Sequence, residues 1–129
     1  MGATESKKSV LLLDDEDILR MVIRDCLEAA GYNVSSVATG EAAIERAQEK
    51  RFDLIILDLL MPQPNGFKVF QRLKELSVAS RTPILILTVV GLEPQVQALV
   101  NAGAHYLKKV DAPEHLVSKV KELVNRLVA

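Results

Sequence analysis

Apolar and polar positions follow two rhythms along this chain. Short charge-free runs of Val, Ile and Leu, at residues 10–13, 54–57 and 84–87, have the composition of strands covered on both faces. Between them the apolar residues recur every three or four positions, as on one face of a helix. Residues 17–30 place Leu19, Val22, Ile23, Cys26, Leu27 and Ala30 on such a stripe, with Gly31 as a C-terminal stop. A β-branched run follows at 33–37, and Thr39 is placed to cap a helix over 40–50. After the strand candidate at 54–58 and a Pro- and Gly-containing turn over 61–66, the pattern predicts a helix over 66–77 and a strand over 84–88. A helix over 93–102 carries Pro94 in its first turn and Gly103 past its end. A last strand at about 106–108 precedes a helix over 112–128, where Asp111 and Glu114 have the spacing of a capping box.

Five strands alternating with five helices imply an α/β fold. Right-handed crossovers place helices on both faces of a parallel sheet, giving a doubly wound, three-layer (βα)5 sandwich. Periodicity alone leaves the strand order open, because more than one doubly wound order satisfies it.

A chain of 129 residues suffices for one domain with a sizeable core. With 16 Lys and Arg against 17 Asp and Glu it offers no basic surface for nucleic acid, so no direct nucleic-acid binding is expected. No apolar run approaches the roughly 18 residues of a membrane span, and a single cysteine, Cys26, fits a reducing compartment. These features predict a cytoplasmic protein with no membrane partner and a buried, structural Cys26.

Chemistry-bearing residues stand where the apolar runs stop. Asp14 and Asp15 follow the first strand, Asp58 the third, Thr88 ends the fourth, and Lys109 follows the fifth. In a parallel sheet these ends share one edge, where ligands bind. Taken singly each has a plain structural role: Asp14 as a helix cap, Asp58 as a turn residue, Thr88 as a β-branched strand end. Four strand ends carrying acid, acid, hydroxyl and amine in that order make a joint site the better reading. Crowded carboxylates are the usual way to hold Mg²⁺, a hard ion that prefers oxygen. His105 and His115 have no partner at metal-ligand spacing and are expected at the surface.

On these residues the chain resembles the receiver domain of two-component response regulators, and in particular the single-domain chemotaxis regulator. The resemblance runs from Ser9 nearly to the C-terminus and includes the acidic pair, Asp58 followed by Leu59, Leu60, Met61 and Pro62, then Gly66, Thr88, Gly103, Ala104, and Tyr106 three residues before Lys109. It implies the flavodoxin-like strand order 2-1-3-4-5, a receiver domain over 9–129, and a flexible N-terminal segment over 1–8. It further implies that Asp58 accepts a phosphoryl group from a sensor histidine kinase or phosphotransfer protein. Asp14, Asp15, Asp58 and the backbone carbonyl of Leu60 would hold Mg²⁺, and Lys109 and Thr88 would meet the phosphoryl oxygens. Thr88 and Tyr106 would then switch the face of the fourth helix, fifth strand and fifth helix, which binds a downstream effector or a second copy of the chain. Such a domain is a phosphoacceptor and not an enzyme in the ordinary sense. A phosphatase or a flavin domain of similar fold is disfavoured, because no second aspartate follows Asp58 at Leu60 and no phosphate-binding loop follows the first strand.

Three departures qualify these expectations. Val110 stands where the family usually has proline, so the loop after Lys109 is expected to run differently and to limit the reach of that lysine. Val89 replaces a small residue at the pocket, and Leu60 and Val90 at its rim offer no polar group to orient water, which predicts a long-lived phosphorylated state. The alternative is a degenerate receiver that binds partners without phosphorylation. Finally, the fourth helix beyond Glu93 has no charged side chain, and Gln95 and Ala98 are expected on a partner surface.

Overall fold

A computed structural model describes residues 7–62, 65–89 and 91–125. Its elements run β1 Ser9–Leu13, α1 Asp17–Ala29, β2 Asn33–Val37, α2 Gly40–Glu49, β3 Leu54–Leu57, α3 Gly66–Glu75, β4 Ile84–Thr88, α4 Pro94–Asn101, β5 His105–Lys108 and α5 Ala112–Asn125, with a 3-10 turn over Lys109–Asp111. All five strands are parallel and lie in the order β2-β1-β3-β4-β5. The expected fold and strand order are both present. Most of the segment 1–8 and the expected end of α5 beyond Asn125 lie outside the described residues, as does Val90.

Burial explains why those runs are strands. Every residue of β3 and β4 is buried, whereas the edge strands β2 and β5 are buried only in part. Side chains alternate across the sheet with period two. Leu11, Leu13, Ile55, Leu57, Ile84 and Ile86 pack on one face with Ala43 and Ala47 of α2, Val69 and Leu73 of α3, and Val96 of α4. Val10, Leu12, Leu54, Ile56, Leu85 and Leu87 pack on the other face with Ile23 and Leu27 of α1 and Leu116, Val120 and Leu123 of α5. Burying a single Leu or Ile in this way is worth about 2 kcal/mol, so the two-faced sheet outweighs any weak local preference.

The expected punctuation holds at most helix ends. Thr39 caps α2 as expected by accepting from the Ala42 N–H at 3.1 Å, and α3 has a cap that was not expected, Asn65, which accepts from the Lys68 N–H at 3.1 Å. Pro94 opens α4, and Gly103 takes a φ of 108° beyond its end, a conformation that side-chain-bearing residues avoid. Expected boundaries differ from the observed ones by one or two residues, mainly because cap residues had been counted into the helices.

Two expectations are corrected. Cys26 is exposed, not buried, and Val22 on the same stripe is 56% exposed. The arc of α1 that faces the sheet is narrower than its apolar stripe, and only Ile23 and Leu27 are fully covered. The remainder of the stripe, with Ala112, Pro113 and Leu116 of α5, lines a surface groove of about 140 Å³. The capping box at the start of α5 is also not formed: the 3-10 turn runs straight into the helix, and the Ala112 N–H donates to the Lys109 carbonyl.

Candidate functional site

Strand register assembles the site. Leu13 pairs with Leu57, and the ladder continues one residue beyond the strands, where the Asp58 N–H donates to the Leu13 carbonyl at 3.1 Å. On the other side of β1 the Asp14 N–H donates to the Val37 carbonyl at 3.2 Å. Asp14 and Asp58 are thus the first residues past two adjacent strands. Thr88 ends β4 and pairs with Lys108, so Lys109 is the first residue past β5. The four strand ends meet at one edge because the strands are parallel and nearly level.

Glycine holds this edge together. A Cβ at Gly66 would lie 2.2 Å from the Asp58 carbonyl oxygen and 2.5 Å from the Leu59 Cα. The first turn of α3 therefore rests directly on the backbone that carries Asp58, an approach open only to glycine. The Gly66 N–H donates to the Leu59 carbonyl at 3.2 Å and fixes the loop between them.

Within the cluster, Asp14, Asp58 and Thr88 are buried, Asp15 is exposed, and the Lys109 side chain is only 8% exposed. Lys109 Nζ lies 3.0 Å from Asp14 Oδ2, 3.1 Å from Glu16 Oε1 and 3.3 Å from Asp58 Oδ2. The other oxygens of the buried pair are engaged by backbone: the Glu16 N–H donates to Asp14 Oδ1 at 2.9 Å and the Leu60 N–H to Asp58 Oδ1 at 3.3 Å. Among the described residues no buried side-chain polar atom lacks a partner.

The electrostatics follow from burial and charge. Desolvation pushes the Asp58 carboxyl above its ordinary range; Lys109 draws it back and Asp14 pushes it further up. Burial alone would lower the Lys109 ammonium, but Asp14, Asp58 and Glu16 hold it well above the usual lysine value. Tyr106 is raised by burial and then by Asp111. Asp14, Asp15 and Asp58 can each offer a carboxylate oxygen within 4.8 Å of the others, a compact all-oxygen set of the kind that suits Mg²⁺. This set fits the ion.

The expected residues of the strand ends lie close together. Asp14, Asp58 and Lys109 are in contact, Asp15 stands at the mouth, and Thr88 lies at the neighbouring strand end. Tyr106 is half-buried and packs against the α2–α3–α4 side of the core. The preceding Lys108 is exposed, whereas Lys109 reaches the two buried acids. The expectation that Val110 would limit the reach of Lys109 is not met: Val110 points into solvent at 73% exposure while the lysine reaches Asp58. Glu16 was missed. Its cue in the sequence is a third acid directly after the pair, and its partner lies 93 positions away.

A sequence model of the response regulator receiver domain matches residues 10–121. The chain belongs to the response regulator receiver family. The receiver is 35% identical over 127 residues to the transcriptional regulatory protein ResD of Bacillus subtilis, covering 98% of this chain and 51% of ResD. It spans about half the length of the curated relatives it matches. Among solved structures, the chemotaxis response regulator CheY4 of Vibrio cholerae superposes with a TM-score of 0.84 at 34% identity, covering 92% of this receiver and 99% of CheY4. The receiver domain of the sensor histidine kinase PA1611 from Pseudomonas aeruginosa gives 0.78 at 26% identity, covering 94% and 97% of the two chains, and holds a magnesium ion in its active-site cleft. Receiver domains are signalling domains of two-component systems that interact with histidine kinases and effectors. No helix among the described residues of this receiver is long and apolar enough to cross a membrane.

Proposed function

We propose that this receiver accepts a phosphoryl group on Asp58 and converts it into a change of surface. The observation that carries the reading is the ammonium of Lys109 seated between Asp14 and Asp58 at 3.0 and 3.3 Å, in spite of the valine that follows it. A degenerate receiver would have no need to bury a lysine against two acids, since such a cluster costs desolvation energy and contributes little to stability. The receiver unit is residues 9–129, with 1–8 leading into it.

Asp58 is the nucleophile. Its carboxylate oxygen forms a bond to phosphorus while the bond from phosphorus to the histidine nitrogen of a kinase or phosphotransfer protein breaks, leaving an acyl phosphate. Asp14, Asp15, Asp58 and the Leu60 carbonyl are the residues that would hold Mg²⁺, which when bound supplies positive charge against the phosphoryl oxygens. Lys109 exchanges a carboxylate for a phosphoryl oxygen, and the Thr88 hydroxyl donates to another. Burial already keeps bulk water from Asp58, so these groups act with little screening.

Output runs through Thr88 and Tyr106 to the α4–β5–α5 face. Thr88 moves toward the phosphoryl group, and Tyr106 takes the space it leaves. The exposed, uncharged part of α4, including Gln95 and Ala98, then receives an effector or a second receiver. Replacement of Ala98 by lysine in the phosphorylated protein tests that surface: loss of dimerisation or effector binding is expected, and an unchanged protein on both counts removes the surface from the scheme.

The function itself is tested by intact-protein mass after incubation with acetyl phosphate. A gain of one phosphoryl group that requires Mg²⁺ and disappears in Asp58→Ala is expected. A folded parent that gains nothing from this donor or from a histidine phosphodonor overturns the reading.

A further inference from the structure

Glu16 is the one member of the lysine cluster to which the scheme above gives no role, and its chemistry is distinctive. It stands at the N-cap of α1, yet its side chain caps nothing. Instead Oε1 lies 3.1 Å from Lys109 Nζ. Its side chain is 63% exposed, whereas those of Asp14 and Asp58 are almost fully covered.

Oxygen by oxygen, the buried acids are in short supply. Asp14 Oδ1 and Asp58 Oδ1 each accept a backbone N–H, which leaves Oδ2 of each acid, and both of these are held by Lys109. These are also two of the three carboxylates that can converge on a cation. Asp14 Oδ2 and Asp58 Oδ2 cannot serve an ammonium and a divalent ion at full strength together, since the two cations repel at short range. Glu16 lies outside the converging set. Among the described residues it is the only other carboxylate within ion-pair distance of Lys109.

We infer that Glu16 is a positioning residue that retains Lys109 when the buried acids turn to Mg²⁺, so that metal and lysine can occupy the site together. The inference rests on the function proposed above. Lysine suits the task, because its ammonium is a rotatable point charge with three donors and can yield two contacts while keeping the third. The contact with Glu16 strengthens as the others weaken, so it favours the metal-loaded arrangement.

The test is a double-mutant cycle on Mg²⁺ affinity, measured calorimetrically at about 0.15 M ionic strength to screen distant charge. It compares the parent, Glu16→Gln, Lys109→Met and the double variant. Glu16→Gln is expected to weaken Mg²⁺ binding about threefold, the scale of a partly exposed ion pair. With Lys109→Met present the same replacement is expected to change nothing. Equal weakening in both backgrounds would mean that Glu16 acts only as a nearby negative charge, and no weakening in the parent background would mean that it does not act at all. Either result overturns the inference while leaving the proposed function standing. A parent that binds no Mg²⁺ overturns both.

Discussion

The interior of the sheet and the Asp58 and Thr88 positions at its C-terminal edge are both closed to water, yet they are built to opposite ends. Ile56 and Leu57 are 0% exposed, Asp58 is 3% and Thr88 0%. One residue along β3 the chain changes from burying apolar surface, which stabilises the fold, to burying charge, which does not. The pair Leu57 and Asp58 shows that burial by itself does not identify stabilising residues: the edge is held in place by the interior and stays poised for chemistry at its expense.

That contrast can be broken from either side. Ile56→Ala is expected to cost roughly 3 to 4 kcal/mol of stability in a denaturant titration, with Asp58 still phosphorylated in whatever fraction remains folded. Gly66→Ala comes next, at about 2 to 3 kcal/mol, because the added Cβ must push back the Asp58 backbone; unlike Ile56→Ala it should also slow phosphorylation of the folded protein, which separates support of the edge from support of the core. The double variant Leu60→Asn, Val90→Glu, which supplies polar groups where the sequence has two apolar ones, is expected to speed loss of the phosphoryl group about tenfold, or 1.4 kcal/mol in barrier, without a change in the denaturation midpoint. Phosphate lost at the parental rate would show that these two positions do not govern the lifetime of the phosphorylated state.

The smallest effect has the most telling sign. Because the Asp58 carboxyl is raised in the folded state, its contribution to stability is present below the ordinary aspartate range and lost as pH rises through its folded value. Asp58→Asn should therefore raise the stability at neutral pH, on the order of 1 kcal/mol, and the gain should vanish in acid, where the parent is already protonated. Lys109 keeps Asp14 and Glu16 as partners in that variant. A loss of stability at neutral pH would mean that Asp58 strengthens the fold through Lys109, and the contrast between Leu57 and Asp58 would fail.

Much of this is legible in the amino-acid sequence. Strand interiors were legible because a residue covered on both faces must be apolar whatever its neighbours, so 54–57 and 84–87 announce themselves. The site was legible because parallel strands end together, and Asp14, Asp58, Thr88 and Lys109 stand at those ends. What escaped depends on angles or on distant partners. Cys26 and Val22 share a helical stripe with Ile23 and Leu27, but which part of that stripe meets the sheet is set by how α1 rolls against β1 and α5. Asp111 and Glu114 have capping-box spacing, but the backbone enters α5 through a 3-10 turn that closes its own hydrogen bonds. Glu16 acquires its meaning only from a lysine on the far side of the sequence.

Helix α4 is pinned to the core by one fully buried side chain, Val96, while α5 is held by Leu116, Val120, Leu123 and Val124. Amide hydrogens report how often a segment detaches, and a helix with so little apolar surface to lose detaches cheaply. The amides of α4 should exchange with deuterated solvent through local opening, long before those of α5. Evolution would then have needed no new hinge to make this surface responsive: a helix that already visits its released position can be recruited by any event that favours that position slightly.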